Sequence, residues 1–226
     1  MVKVEWHVAV DQMTRNLVKI STLGGGYGSG IVIPPPAKAP GNLCVLTAFH
    51  VIASAFNTGA TIEIMRADRA HTIRLPSLSR SIFVAKDRDQ AIICFNGPGD
   101  FESLHELTFL SRDRHYNPGV ELGWLGFPNL EISRDVPCFL SGRVSAYLED
   151  KEAYLIDGVS IHGLSGGPVF YCSEDKAVVA GIVTNYYPNE VNQQPWPGLA
   201  MFRTINPLMK LYDEQRKADI PKIVDA

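Results

Sequence analysis

An all-β fold, a sandwich or barrel, is what this sequence predicts, and three observations carry the prediction. Short apolar runs recur along the chain, at 17–22, 31–33, 43–48, 61–66, 71–76, 81–85, 91–95, 119–128, 136–146, 152–156, 169–172 and 177–184. Glycine, proline and asparagine clusters separate many of them, as turns between strands require. Helical spacing is read near the end, over Asn206–Tyr212, with Asn206 placed as N-cap and Pro207 at the first helical position.

Taken in order, Leu17–Thr22 reads as a strand leading into Gly24-Gly25-Gly26-Tyr27-Gly28-Ser29-Gly30. A glycine run can cradle phosphate, but no Gly-Lys-Ser/Thr follows and the Gly-x-Gly-x-x-Gly spacing fails. The run therefore reads as a flexible hairpin between two strands. Pro34–Asn42 reads as a stiff surface loop, since proline runs cannot pair in a sheet. Leu43–Ala48 is a buried strand whose end reaches Phe49-His50-Val51-Ile52-Ala53. Residues 61–66 and 71–76 read as a strand pair, and 81–85 as another strand. Asp89 then stands just before an apolar strand, where it either caps a turn or orients a catalytic imidazole. Residues 100–118 read as a connection between two halves, and the second series of strands follows. The polar tail after Lys217 is expected to be loosely held.

With 226 residues, 46% apolar and 20% charged, the chain has the composition of a globular protein with an adequate core. Its length fits one unit or two small barrels sharing an interface. A net charge of −3 supplies no long-range attraction to nucleic acid or anionic membrane. Cys44, Cys94, Cys138 and Cys172 show no Cys-x-x-Cys zinc spacing and are expected as thiols rather than disulfides. No metal or cofactor is expected. The N-terminal residues lack an uninterrupted apolar signal region, and no apolar run approaches a membrane span. A cytoplasmic, reducing home is the expectation.

The stretch Ile161-His162-Gly163-Leu164-Ser165-Gly166-Gly167-Pro168-Val169-Phe170 carries the chemistry. A serine between glycines, ahead of an apolar run, is a sharp turn that holds the hydroxyl outward and aims N–H groups at one point. Gly-Leu-Ser-Gly-Gly also fits the nucleophile elbow of α/β-hydrolases. That architecture needs its histidine after the serine, and residues 166–226 contain none. The opposite order, histidine and aspartate before serine, is available in His50 and Asp89. His7, His71, His105 and His115 sit in more polar, less ordered contexts.

Gly-Ser-Gly-Ile-Val-Ile, Leu-Thr-Ala-Phe-His-Val, Asp-Gln-Ala-Ile-Ile and Gly-Leu-Ser-Gly-Gly-Pro-Val follow one another along the chain. In this order they resemble the trypsin-like (chymotrypsin-fold) serine peptidases, most nearly the disulfide-free bacterial branch that includes the HtrA peptidase domain. The resemblance spans about residues 17–212 and implies two six-stranded antiparallel β-barrels of the chymotrypsin type with a short C-terminal helix. It implies one peptidase domain over 1–226, with the first barrel at about 14–100, a connection to 118, the second barrel at about 119–204, then helix and tail.

The same resemblance implies a triad of His50, Asp89 and Ser165, with the N–H groups of Gly163 and Ser165 as oxyanion hole. Asp87 competes with Asp89, but only Asp89 has alanine two places later, as the family pattern asks. Gln90 departs from the apolar residue usual there. Leu164 replaces the aspartate that zymogen-activated enzymes pair with a new N-terminus, so maturation by such a cut is not expected. Val159 is placed at the base of the S1 pocket, with Thr184-Asn185-Tyr186 and Gly198-Leu199-Ala200 as walls and His162 at the rim. No acidic residue is at the base, and small or medium aliphatic P1 residues are expected. A protein or peptide substrate is implied, and a regulatory protein partner is suspected. The alternatives are a catalytically silent scaffold on the same fold, or an esterase.

Overall fold

The computed structural model describes residues 4–33, 42–68, 72–97, 104–110, 115–130, 135–174, 176–191 and 194–210. Most of the proline-rich stretch, His71 and the polar tail lie outside them. The chain opens with helix α1 (Trp6–Thr14), which no sequence signal predicts. It has neither a side-chain N-cap nor an acidic residue in its first turn, so the usual start marks are missing. Tertiary burial stabilises it instead. Ala9 and Met13 are fully buried, and the Trp6 ring packs on Phe139 and Phe170 at 5.4 and 5.8 Å.

The first sheet contains β1 (Leu17–Thr22), β2 (Tyr27–Ile33), β3 (Asn42–Ala48), β4 (Ile62–Arg66), β5 (Thr72–Leu75), β6 (Arg80–Ala85) and β7 (Gln90–Asn96). Their order is β5-β4-β1-β2-β3-β7-β6. The two ends of that order, β5 and β6, are consecutive in sequence and joined through a 3-10 turn at Ser77–Ser79. Among the described residues no strand pairing joins these two flanks, so this sheet is a half-barrel where the resemblance implies a six-stranded barrel. The glycine run is the expected hairpin, with Ser21 opposite Tyr27 in the β1–β2 register.

Helix α2 (Phe49–Thr58) follows β3 directly. In the sequence its apolar residues read as the end of a strand; Val51, Ile52 and Ala55 are its buried face, and Gly59 ends it in the left-handed conformation (φ 72°).

The second sheet contains β8 (Thr108–Phe109), β9 (Glu121–Gly126), β10 (Cys138–Leu148), β11 (Ala153–Ile156), β12 (Pro168–Cys172), β13 (Ala177–Val191) and β14 (Gln194–Arg203). Their order is β12-β9-β10-β11-β14-β13-β8, and an added β12–β13 pairing closes six of them into an antiparallel barrel. The short β8 lies parallel to β13 outside that ring. The β13–β14 hairpin runs well past residue 184, where the apolar pattern stops. Register shifts at Val183/Asn185 and Tyr187/Asn189 absorb the polar residues and Pro188 that interrupt it. Residues 206–210 are helical, and the remainder of the expected C-terminal helix lies beyond the described residues.

Three apolar clusters organise this architecture. One fills the first barrel around Val18, Ile20, Val45 and Ile93, and another fills the second around Leu122, Trp124 and Phe202. The third is the seam between the barrels, joining Leu46 and Ile92 to Leu125, Phe127, Phe170 and Ile182. The uninterrupted apolar runs of β3 and β7 follow from this layout. Val45 and Ile93 face the barrel interior while Leu46 and Ile92 face the seam, so neither side of the strand can be polar.

Phe170 has no exposed surface and meets Trp6 edge to face and Phe139 at a tilt within the seam cluster. Phe170→Ala is expected to lower the unfolding free energy by about 3–5 kcal/mol, measured as a shift of the urea midpoint at unchanged slope.

Candidate active site

His50 enters at the first turn of α2, immediately after β3, and Asp89 immediately precedes β7. β3 and β7 pair in register with Ala48 opposite Gln90, so both residues emerge at the same end of adjacent strands. Asp89 Oδ2 lies 2.7 Å from His50 Nδ1, and Asp89 Oδ1 accepts the backbone N–H of His50 at 2.8 Å. One carboxylate therefore holds the ring and the main chain of the same histidine.

Asp89 itself adopts a left-handed backbone (φ 51°, ψ 46°) at the end of the 3-10 turn Lys86–Arg88, a conformation aspartate tolerates better than most side chains. Its N–H donates to Lys86 O and its carbonyl accepts from Phe49 N–H, both at 3.1 Å. Asp87 is exposed on the outside of that turn. Asp89, which the family pattern favours over Asp87, is the aspartate that contacts His50.

Neighbours from the second barrel hold the base of this turn. Gln90, the polar departure at an apolar position, is fully buried and donates through Nε2 to Thr204 O at 3.1 Å and Arg203 O at 3.4 Å. Arg203 donates in return to Arg88 O at 3.0 Å and to Lys151 O at 3.1 Å. Arg88 pairs with Glu152. Burial first, and the charge of Arg203 second, pull the Arg88 guanidinium below its usual range. Neither Arg203 nor Glu152 stands out in the sequence, and Gln90 does so only as an anomaly.

Ser165 sits in a turn built from two left-handed glycines, Gly163 (φ 100°) and Gly166 (φ 84°). The turn meets the first barrel through Ser29 on β2, which is fully buried. The Ser29 N–H donates to Ser165 O at 2.8 Å, and its hydroxyl donates to Gly163 O at 2.7 Å while accepting Phe127 N–H at 2.8 Å. Thr47 Oγ1 completes the cluster by donating to Ser29 O at 2.7 Å. Gly166 approaches so closely that a Cβ there would lie 2.1 Å from Ser29 O and 2.9 Å from Ala48 N. The turn thus lies close to Ala48, two residues before His50, while among the described residues no hydrogen bond joins Ser165 to His50. Ser29 and Thr47 read in the sequence only as parts of a hairpin and a strand, and no spacing rule would have found their roles.

The His162 carbonyl accepts Asn129 N–H at 2.7 Å. In a trans peptide the C=O and the following N–H point to opposite sides, so the Gly163 N–H is turned away from Asn129. Among the described residues the N–H groups of Gly163 and Ser165 have no protein acceptor. A side chain at 163 would meet Phe127 O at 2.3 Å, which fixes glycine at that position. Leu164 is fully buried within the second barrel's core.

The expected pocket residues lie on adjoining strands. Ala200 is opposite both Ile156 and Tyr186, and its N–H donates to Gly158 O at 2.7 Å, next to Val159. Gly198 lies on β14, two places before Ala200. Thr184 and Ala200 have no exposed surface, whereas Val159 (38%), Tyr186 (47%) and Leu199 (38%) are exposed. Asn185 is exposed and accepts Tyr186 N–H through Oδ1 at 2.8 Å. The His162 side chain is exposed too. Among the described residues no cluster of three or more histidine, cysteine or carboxylate side chains is arranged to hold a metal.

A closed six-stranded barrel docked on a half-barrel, with the serine turn at their junction, is a chymotrypsin-like fold, and the chain is a serine peptidase, a hydrolase. The trypsin-like peptidase domain matches residues 28–187, and the chain belongs to that family. Among curated proteins no sequence match is found. Solved structures share the fold at low identity. The serine endoprotease from Yersinia pestis aligns with TM-score 0.66 at 16% identity, over 96% of this chain and 68% of that one. An HtrA-type protease, AlgW, with a tripeptide aligns with TM-score 0.66 at 15% identity, over 93% of this chain and 63% of that one. Deg5 aligns with TM-score 0.64 at 17% identity, over 92% of this chain and 94% of that one.

Ser29→Ala would leave the Gly163 carbonyl and Phe127 N–H without their buried partner. The expected result is a loss of about 1–3 kcal/mol in stability, read by denaturant titration, with the far-UV circular dichroism spectrum retained below the transition.

Proposed function

We propose that this chain is a serine endopeptidase in which Ser165 is the nucleophile, His50 the general base and acid, and Asp89 the residue that orients the histidine. The observation that carries this reading is the double grip of Asp89 on the His50 ring and backbone. With an ionised carboxylate beside Nδ1, that nitrogen keeps its proton and Nε2 is left as the acceptor.

Ser165 Oγ attacks the scissile carbonyl carbon as His50 Nε2 takes the hydroxyl proton. The carbonyl oxygen becomes an oxyanion, received by the N–H groups of Gly163 and Ser165, and one such donor is worth about 3 kcal/mol in studied enzymes. The C–N bond then breaks, His50 returns the proton to the leaving amine, and an acyl ester remains on Ser165. Water repeats the sequence with His50 again as base, releasing the acid and regenerating the hydroxyl.

Val159 and Ala200 are apolar and uncharged and Tyr186, opposite Ala200, would limit the pocket's size, which supports small or medium aliphatic P1 residues. With Leu164 buried, no cut N-terminus is needed to order the serine turn. A regulatory protein partner or narrow specificity would restrain such an enzyme in a cell.

A fluorophosphonate probe is expected to label the wild-type chain and not Ser165→Ala, and Asp89→Asn is expected to lower kcat by about 10⁴-fold. A folded wild-type protein that takes no label would instead be a binding protein on a peptidase fold. A peptide-library profile is expected to be dominated by aliphatic P1 residues; dominance of lysine or arginine would overturn the pocket assignment.

A further inference from the structure

We propose that Cys44 and Cys94 form a redox modification site, closed to a reversible disulfide by a hydroperoxide. β3 and β7 are antiparallel with Cys44 directly opposite Cys94. Opposed residues of such a pair have Cα atoms about 4.5 or 5.5 Å apart, and both values fall within the roughly 4.4–6.8 Å that a disulfide spans. Opposed side chains also project to the same face of the sheet. Here that face is the seam between the barrels, where both cysteines pack against one cluster.

The two thiol sulfurs are in direct contact. Closing the bond asks for a side-chain adjustment and no strand movement. In the strand registers Cys138 stands opposite Gly126 and Cys172 opposite Ala177.

Exposure assigns the two sulfurs different parts. Cys44 is 4% exposed, whereas Cys94 is only partly buried, at the rim of the seam. Cys94 is therefore the sulfur a small solute meets, and Cys44 is the resolving thiol behind it. The Cys94 thiolate attacks the terminal oxygen of the hydroperoxide, breaking the O–O bond. Its proton leaves with the alkoxide as an alcohol, and Cys94 becomes a sulfenic acid. Cys44 sulfur then attacks Cys94 sulfur and displaces the hydroxyl, which departs as water with the Cys44 proton. Two thiols and one hydroperoxide give one disulfide, one alcohol and one water. The sulfurs lose two electrons and the peroxide gains them.

The bond would close a loop containing His50, α2 and Asp89, and join the two strands from whose ends His50 and Asp89 project. A cross-link over this many residues restricts the unfolded chain strongly, so oxidation is expected to raise the thermal midpoint by roughly 5–10 °C.

The test treats the purified full chain, folded, with hydrogen peroxide, blocks remaining thiols by alkylation and digests it with trypsin without reduction. The fragments 39–66 and 89–112 each contain one of the two cysteines and no internal lysine or arginine. They are expected as one linked species, two hydrogens lighter than their sum and separated again by dithiothreitol. The midpoint shift is expected in the wild type and absent from Cys94→Ser. Recovery of both fragments alkylated after peroxide has oxidised Cys138 would overturn the proposal, as would linkage only between chains or to Cys138 or Cys172.

Discussion

Ser29 is the joint on which the two halves of this protein meet. Its N–H, hydroxyl and carbonyl together engage Ser165, Gly163, Phe127 and Thr47, which makes it a first-barrel residue bound into a second-barrel turn. Such a joint works only if the strand carrying it comes very close to its neighbours. A Cβ at Gly28 would lie 2.5 Å from the Val51 side chain and 2.8 Å from Ser165 O. The small residues of this stretch are therefore a packing requirement. Bulk on either side of Ser29 would push the serine turn away from α2, which carries His50, and the hydroxyl buried there would lose its partners at a cost of about 1–3 kcal/mol.

A second constraint acts on Asp89. The β3–β7 register brings it beside His50, but a left-handed aspartate at the end of a 3-10 turn is an unfavourable local conformation that its surroundings must impose. Those surroundings come largely from the other barrel. Gln90 donates across the seam to Arg203 O and Thr204 O, Arg203 donates to Arg88 O, and Arg88 is tied to Glu152. Two buried arginines share that space, an arrangement that burial and mutual repulsion make expensive even with Glu152 and Asp87 near Arg88. Apolar residues would fill the volume with less penalty, so the polar solution is best explained by direction: backbone carbonyls at Thr204, Arg203 and Arg88 need donors from specific angles. A seam fastened this way fixes the angle between the barrels as well as their contact.

Much of this was legible in the sequence, and the failures have physical causes. The strands of both barrels announce themselves through apolar runs and turn residues, and β1 and the β4–β5 pair fall close to where pattern places them. Helix α1 was invisible because its stability is tertiary, from Trp6 against Phe139 and Phe170 rather than from caps. Helix α2 was hidden because its apolar residues continue the run of β3, and a short apolar stretch does not declare its period. The long β13–β14 hairpin was cut short because bulges break the alternation that would reveal it. At the site, His50, Asp89 and Ser165 carry chemically distinctive groups at recognisable places. Ser29, Thr47, Asn129 and Arg203 act through backbone partners that only the docked barrels bring within reach, and composition holds no trace of that.

Leu164 shows how these constraints combine. In enzymes activated by a cut, the corresponding position is an aspartate whose ion pair with a new N-terminus orders the serine turn. Here the same backbone position is anchored by an apolar side chain with no exposed surface, in contact range of Gly126. Burying a leucine side chain contributes about 1.5–3 kcal/mol, comparable with what a partly buried ion pair supplies, and it carries no charge to titrate. The turn's other restraints are also uncharged: Ser29 on Gly163 and Ser165, Asn129 N–H on His162 O, and Val183 O on Gly166 N–H. Order in the serine turn is thereby coupled to the docking of the two halves through Ser29.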